Sequence, residues 1–272
     1  MIQLFSKPDR YIGRCGHLRC RVTENVVPGA PAFMAGLRAL FVADVHVIPR
    51  TTDADLEDLA ARMAALSPDI LLLGGDYADR AEDCVRFFRA LSPLRPPLGS
   101  FGVLGNNDRE AWPDIGALRD VMADAGCRLL VNASAKVPLA GGRLWIAGLD
   151  EYQCGAPNPR RLYPRKGTPE QYRVLLSHYP RPVPVMPDLM LSGHTHGGQF
   201  NLLGLTPFSI GFERLLHSQL ASSAIAGLHT FGDGQMLVSK GIGASRIQLR
   251  VGVAPEINLV TFRPADPIVQ VN

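Results

Sequence analysis

Short apolar runs that close on glycine or a polar residue constrain this chain more than any other feature. They read LRALFVAD into Asp44, DILLLGGD into Asp76, GSFGVLGNND into Asn106, RLWIAGLD into Asp150, YRVLLSH into His178 and DLMLSGH into His194, followed by QMLVSKGIG and EINLVTF. Each is too short for a helix and rich in Leu, Ile and Val, the pattern of a strand buried on both faces. A chain with this many buried strands needs layers on both sides of its sheets.

The intervening segments supply some of those layers. TTDADLEDLAARMAALSP carries capping residues at Thr51 to Asp53, places Leu56, Leu59, Met63 and Leu66 on one face, and meets Pro68 beyond its end. PDIGALRDVMADAG predicts a helix that starts with Pro113 at its first position and stops at Gly126. EDCVRFFRALSP is a third, shorter helix. Strand and helix alternate in the first half and strands dominate the second, which implies an α/β layered architecture with a mixed sheet or two packed sheets. No repeat or linker interrupts the 272 residues, so the expectation is one domain over 1–272. The stretches 154–171 and 202–231 read as excursions from it.

Charge and cysteine usage narrow the function. A net charge of +3, with Lys and Arg dispersed, argues against a dedicated nucleic-acid binder, because such a protein shows a basic stripe. The five cysteines are odd in number, scattered and without a C-x-x-C pair, which argues against a disulfide framework and for a reducing compartment. The first twenty residues carry Lys7, Asp9 and Arg10 before any signal-length apolar stretch. The most apolar segment, LRALFVADVHVI, contains Arg38, Asp44 and His46 and falls short of the about 20 apolar residues that a spanning helix needs. The expected location is therefore cytoplasmic, with peripheral contact at the inner membrane left open.

In an open α/β sheet, functional groups collect beyond the carboxyl ends of strands. Those ends carry Asp44-Val45-His46, Gly74-Gly75-Asp76, Gly105-Asn106-Asn107-Asp108, Ser177-His178 and Gly193-His194-Thr195-His196. Each alone has an ordinary explanation as a helix cap, a turn or a hydrogen-bonded core histidine. Five successive strand ends with oxygen or imidazole donors do not arise from turn statistics, and four of the seven histidines fall there. His17, His217 and His229 lie elsewhere and read as structural.

The ordered set DVH, GGD, GNND, SHYP and GHTH resembles the calcineurin-like metallophosphoesterases, whose motifs run D-x-H, G-D, G-N-H-D/E, H and G-H-x-H. The segments DLMLSGHTHGGQF and SKGIGASRIQLRVGVAPEINLVTF are similar to the YkuE-like branch and to UDP-2,3-diacylglucosamine pyrophosphatases of lipid A synthesis. The likeness spans roughly 37–262 and leaves 1–36 uncovered. It implies a four-layer α-β-β-α sandwich with two mixed sheets, and two divalent metal ions whose identity among Mn, Fe, Zn and Co the ligands do not specify. By the same resemblance Asp44, His46 and His196 hold one metal, Asn106, His178 and His194 the other, and Asp76 bridges them. Alternation along an extended chain would let His194 and His196 face neighbouring metals.

Asn107 departs from the family pattern. The histidine that usually stands there is assigned to the transition state or the leaving group, with Asp108 orienting it, and an amide has no proton to give. General-acid catalysis contributes about 10²–10⁴-fold, and a phosphate leaving group needs it least. The expected substrate is thus a phosphoanhydride or phosphodiester, in particular a phosphorylated small molecule or lipid-linked nucleotide such as UDP-2,3-diacylglucosamine. A broad phosphodiesterase and a metal-binding scaffold with little catalysis are the alternatives. Residues 202–231 read as core or contact surface, or as an apolar flap for acyl chains. Arg160, Arg161, Arg165 and Lys166 read as a solvated cluster, or as a site for diphosphate or anionic headgroups.

Overall fold

The computed structural model describes residues 9, 11–160, 162–164, 168–207, 224–244 and 246–264. Its centre is a pair of six-stranded mixed sheets. In the first, β3 (Arg38–Val42), β4 (Ile70–Leu73), β5 (Ser100–Gly102) and β6 (Cys127–Leu129) run parallel, and β14 (Glu256–Pro264) lies antiparallel against β3. Beyond β14, β2 (Arg21–Ala30) forms the edge. In the second sheet, β8 (Gly142–Gly148), β9 (Gln171–Leu176), β10 (Leu189–Ser192) and β12 (Gly234–Val238) are parallel. They are flanked by antiparallel β7 (Ala133–Leu139) and β11 (Gly227–Phe231). A two-stranded ribbon joins β1 (Ile12–Arg14) to β13 (Leu249–Val251).

Three apolar clusters fix the layers. Phe41, Leu72, Val103 and Val260 from the first sheet meet Ile146, Val174, Leu191 and Leu237 from the second, so the two sheets bury one face each against the other. The outer face of the first sheet packs Leu40, Val42, Leu71 and Leu73 on α1 (Asp53–Ala65), α2 (Ala81–Leu91) and α4 (Ile115–Asp124), through Leu59, Met63, Phe87, Phe88 and Met122. Among the described residues, the outer face of the second sheet is covered by Leu162, Tyr163, Val183 and Ala224. This is the α/β arrangement of two mixed sheets that the run of strands requires.

Local chemistry explains the element ends. Thr52 caps α1 through a capping box with Asp55. The helix expected to start at Pro113 instead begins at Ile115, because the Asp114 side chain accepts from Gly116 N and takes the cap position. GNND is not a plain loop: it opens α3 (Asn106–Ala111). The uncovered N-terminal region supplies β2, whose mostly exposed pattern left no apolar run to read. Residues 208–223 of the suggested flap, with His217, and Arg161, Arg165 and Lys166 of the basic cluster lie outside the described residues.

Candidate active site

The parallel strands of both sheets end on the same side of the molecule, and the polar strand ends meet there. Asp44 and His46 follow β3, Asp76 follows β4, Asn106 follows β5, His178 follows β9, and His194 and His196 follow β10. Asp44, His46, Asp76, His178 and His196 are all buried. The turns are tight. Asp44, His46, Asp76, His194 and His196 each have a left-handed backbone, with φ between 43° and 68°. Such non-glycine conformations cost about 1–3 kcal/mol apiece and persist where the surroundings over-determine them. Gly193 is obligatory for close approach, since a methyl group there would collide with Asp44 Oδ2.

The positive φ values correct one expectation. His194 and His196 do not diverge by strand alternation, because the chain turns through a short 3₁₀ segment at 196–198. The turn sends His194 to His178, with ring centroids 5.0 Å apart, and His196 to His46, at 4.9 Å.

Donor atoms converge on two neighbouring points. Asp44, His46 and His196 offer ligand atoms that all lie within 4.8 Å of one another, as do Asp44, Asp76 and His178. Asp76 Oδ2 sits 3.4 Å from His46 Nε2 and 3.4 Å from His178 Nε2. His194 Nδ1 is 3.2 Å from His178 Nε2, and His196 Nε2 is 3.7 Å from Asp44 Oδ1. His46 Nδ1 lies 2.9 Å from the Asp79 carboxylate and His178 Nδ1 2.9 Å from Gly74 O. Both acceptors hold the ring proton on Nδ1 and leave Nε2 free to ligate.

The residues fit a metal site. His46 Nε2 and Asn106 Oδ1 are buried and have no hydrogen-bond partner. A buried polar atom left this way costs about 1–3 kcal/mol, a penalty that a cation at the same point removes. Electrostatics agrees. Burial lowers the proton affinity of His178, but the Asp76 and Asp44 carboxylates outweigh it and raise its pKa to about 10. His46 is raised as well: Asp79, Asp76 and Asp44 overcome its burial. Burial likewise opposes ionisation of Asp76, yet the charges of His178 and His46 hold it below the usual carboxylate range. Positive charge is thus stabilised at this point, whether carried by protons or by metal.

Asn107 and Asp108 occupy different roles from the expected pair. Asp108 is fully buried and accepts from the backbone N–H groups of Asp76, Tyr77 and Gly105, at 2.7–3.0 Å. Burial and the nearby Asp76 charge push its pKa up to about 7. It ties the Asp76 turn to the start of α3. The carboxylate beside the Asn107 side chain is Asp79: Asn107 Nδ2 lies 3.2 Å from Asp79 Oδ1 and 3.2 Å from His46 Nδ1.

Sequence reasoning passed over Asp79, although it stands three residues after Asp76 in GDYADR. It also passed over Tyr179, whose ring stacks on His194 with centroids 3.9 Å apart, and Arg250, which reaches His196. Only SHYP hinted at the tyrosine, and nothing marked the arginine.

A buried cluster of carboxylates and imidazoles at the strand ends of two packed sheets defines a metal-dependent phosphoesterase. The chain belongs to the calcineurin-like phosphoesterase family, whose sequence profile matches residues 37–198. It is similar to the phosphodiesterase YaeI of Escherichia coli, 29% identical over 235 residues that cover 83% of this chain and 82% of that protein. It is equally similar to the metallophosphoesterase YkoQ of Bacillus subtilis, 29% identical over 81% of this chain and 82% of that one. YkuE of the same bacterium is 26% identical over 89% of this chain and 85% of its own length. Among solved structures, the phosphopantetheinyl hydrolase of Mycobacterium tuberculosis aligns with 80% of this chain and 96% of its own, at 12% identity and a TM-score of 0.42. The chain is accordingly a metal-dependent hydrolase of phosphorylated substrates. No helix among the described residues is long and apolar enough to cross a membrane.

Proposed function

We propose that this protein hydrolyses a phosphoanhydride or phosphodiester with two divalent cations, and that its preferred substrate is a lipid-linked nucleotide of the UDP-2,3-diacylglucosamine type. The observation that carries the two-metal reading is that Asp76 Oδ2 is equidistant from His46 Nε2 and His178 Nε2, 3.4 Å from each. Asp44, His46 and His196 would hold one ion, and Asn106, His178 and His194 the other, with Asp76 shared. Two such ions supply activation of water for attack on phosphorus and neutralise the phosphoryl oxygens.

The chain's own residues do the rest. Two carboxylates against five neutral donors leave a doubly loaded site net positive, so it draws an anion. Asp108 holds the Asp76 turn rigid through three backbone hydrogen bonds. Asn107 donates a hydrogen bond at the mouth of the site but transfers no proton near neutral pH. That favours a leaving group stable as an anion, which supports the anhydride over a simple alkyl ester. The phosphodiesterase named among the relatives supports the diester alternative.

The test is turnover of bis-p-nitrophenyl phosphate and of UDP-2,3-diacylglucosamine with Mn²⁺, for the wild type and Asp76→Ala. The expected result is turnover of both substrates, the lipid-linked one with the higher kcat/KM, and loss of both in the variant. Turnover by Asp76→Ala at the wild-type rate would refute the shared-carboxylate site. A metal-loaded wild type inert on every ester and anhydride would instead support a scaffold.

A further inference from the structure

Arg250 is the largest fully buried side chain among the described residues. Its donors are spent on uncharged groups. Nε donates to Gly243 O at 2.7 Å, Nη2 to Lys240 O at 2.6 Å and Nη1 to His196 O at 3.2 Å, while Nη2 lies 3.1 Å from His196 Nδ1. The Cys15 thiol is a further hydrogen-bonding neighbour, and no described carboxylate is among its partners. A guanidinium taken out of water costs several kcal/mol unless ideal geometry repays it. Three hydrogen bonds repay part of that, and all of them end on two loops.

One of those loops carries His196 and the other holds the backbone of Asp44, two members of one candidate metal group. One is the His196 turn itself. The other, residues 240–243, grips Asp44: Ile242 N and Gly243 N donate to Asp44 O at 3.1 and 2.7 Å, and Gly241 packs so close that a methyl group there would meet Asp44 Cβ at 2.5 Å. Asp44 follows a strand of the first sheet and His196 one of the second, and His194 N ties the two by donating to the Asp44 carboxylate at 3.0 Å. Arg250 joins the His196 turn directly to the 240–243 loop, and through that loop it bears on Asp44.

We propose that Arg250 is a positioning residue that fixes the separation of Asp44 from His196 and so sets the affinity of the Asp44, His46 and His196 group for a divalent cation. The inference rests on the two-metal reading above. It is selective through His196, which belongs to the first group alone: Arg250 donates to the His196 turn and, among the described residues, not to Asp76, His178 or Asn106, so the second ion should be kept. The guanidinium charge itself opposes a cation nearby. Removing it would tighten binding if charge prevailed, and would weaken binding if geometry prevailed.

The experiment is equilibrium dialysis against Mn²⁺ with metal analysis, on the full chain as wild type, Arg250→Met and Arg250→Lys, together with melting curves in EDTA and in Mn²⁺. The wild type should take up two ions. Arg250→Met should keep one and bind the other about 10–100-fold more weakly, the range found when an outer partner of a metal ligand is lost. Its melting point should rise less on adding Mn²⁺ than that of the wild type, since stabilisation follows ligand affinity. Arg250→Lys, which keeps the charge but not the fork, should also lose affinity at one site and carries the test if the methionine variant does not fold. Unchanged or tighter binding, or equal weakening at both sites as a general loss of structure would give, overturns the proposal. A wild type that takes up no ion overturns the two-metal reading and this inference with it.

Discussion

Replacing Asn107 by histidine tests the leaving-group argument directly. Asn107 Nδ2 lies 3.2 Å from Asp79 Oδ1, whose side chain is 37% exposed at the mouth of the site. An imidazole at the same place would donate one N–H to Asp79 and present the other nitrogen to a departing oxygen. A well-placed general acid contributes about 10²–10⁴-fold, equivalent to about 2.7–5.4 kcal/mol of transition-state stabilisation. Asp79 is already engaged by His46 at 2.9 Å, so the new ring shares its acceptor and the gain should fall at the low end, about 10²-fold. The gain should appear only for substrates whose leaving oxygen needs a proton. The assay is kcat/KM of wild type and Asn107→His over phosphodiesters with leaving groups from alkyl alcohols to p-nitrophenol, and over a UDP-linked anhydride. A steep flattening of the leaving-group dependence is expected, with little change for the anhydride. An equal rise for all substrates, or no rise for alkyl esters, would refute the reasoning.

Other perturbations probe the surroundings of the same cluster. Asp79→Asn removes the carboxylate that fixes the His46 ring and should weaken metal binding about 10–100-fold, measured by titration with Mn²⁺; undiminished affinity would show that His46 is held by packing alone. Gly193→Ala drives a methyl group into Asp44 Oδ2 and should lower both metal uptake and melting temperature, at a cost of about 1–3 kcal/mol, whereas a wild-type melting curve would contradict the close approach. Because His178 is raised to about 10 and His46 is also raised in the metal-free protein, adding Mn²⁺ to unbuffered protein at pH 8 should release protons, and binding should weaken as pH falls. A pH-stat record with no release would mean that these rings are already neutral. The sign for folding is the reverse of the usual carboxylate case: a His178 pKa above its ordinary 6.5 stabilises the metal-free fold below pH 6.5, and that contribution fades as pH rises toward 10. Thermal melts in EDTA across that interval would fail to drop if the Asp76 contact were absent.

The sequence by itself determined the strands that carry the site and the residues at their ends. Runs such as DILLLGGD and DLMLSGH announce burial on both faces, and the chemistry of D-x-H or G-H-x-H is local enough to be seen in one dimension. The three long helices were legible for the same reason, since α1 and α4 bury regular apolar faces and α2 carries Phe87 and Phe88 on its inner side. Edge strands were not legible: β2 is polar and largely exposed, and its pairing with β14 joins residues more than two hundred positions apart. The tertiary structure alone decided how the donors are aimed. Left-handed turns at Asp44, Asp76, His194 and His196 rotate side chains that alternation would have sent elsewhere. Asp79, Tyr179 and Arg250 gain their roles only because pairing of strands far apart in sequence sets His46, His194 and the His196 turn beside them. Residue type and period are encoded locally, whereas the partner of a buried charge is settled by which distant segments share its volume.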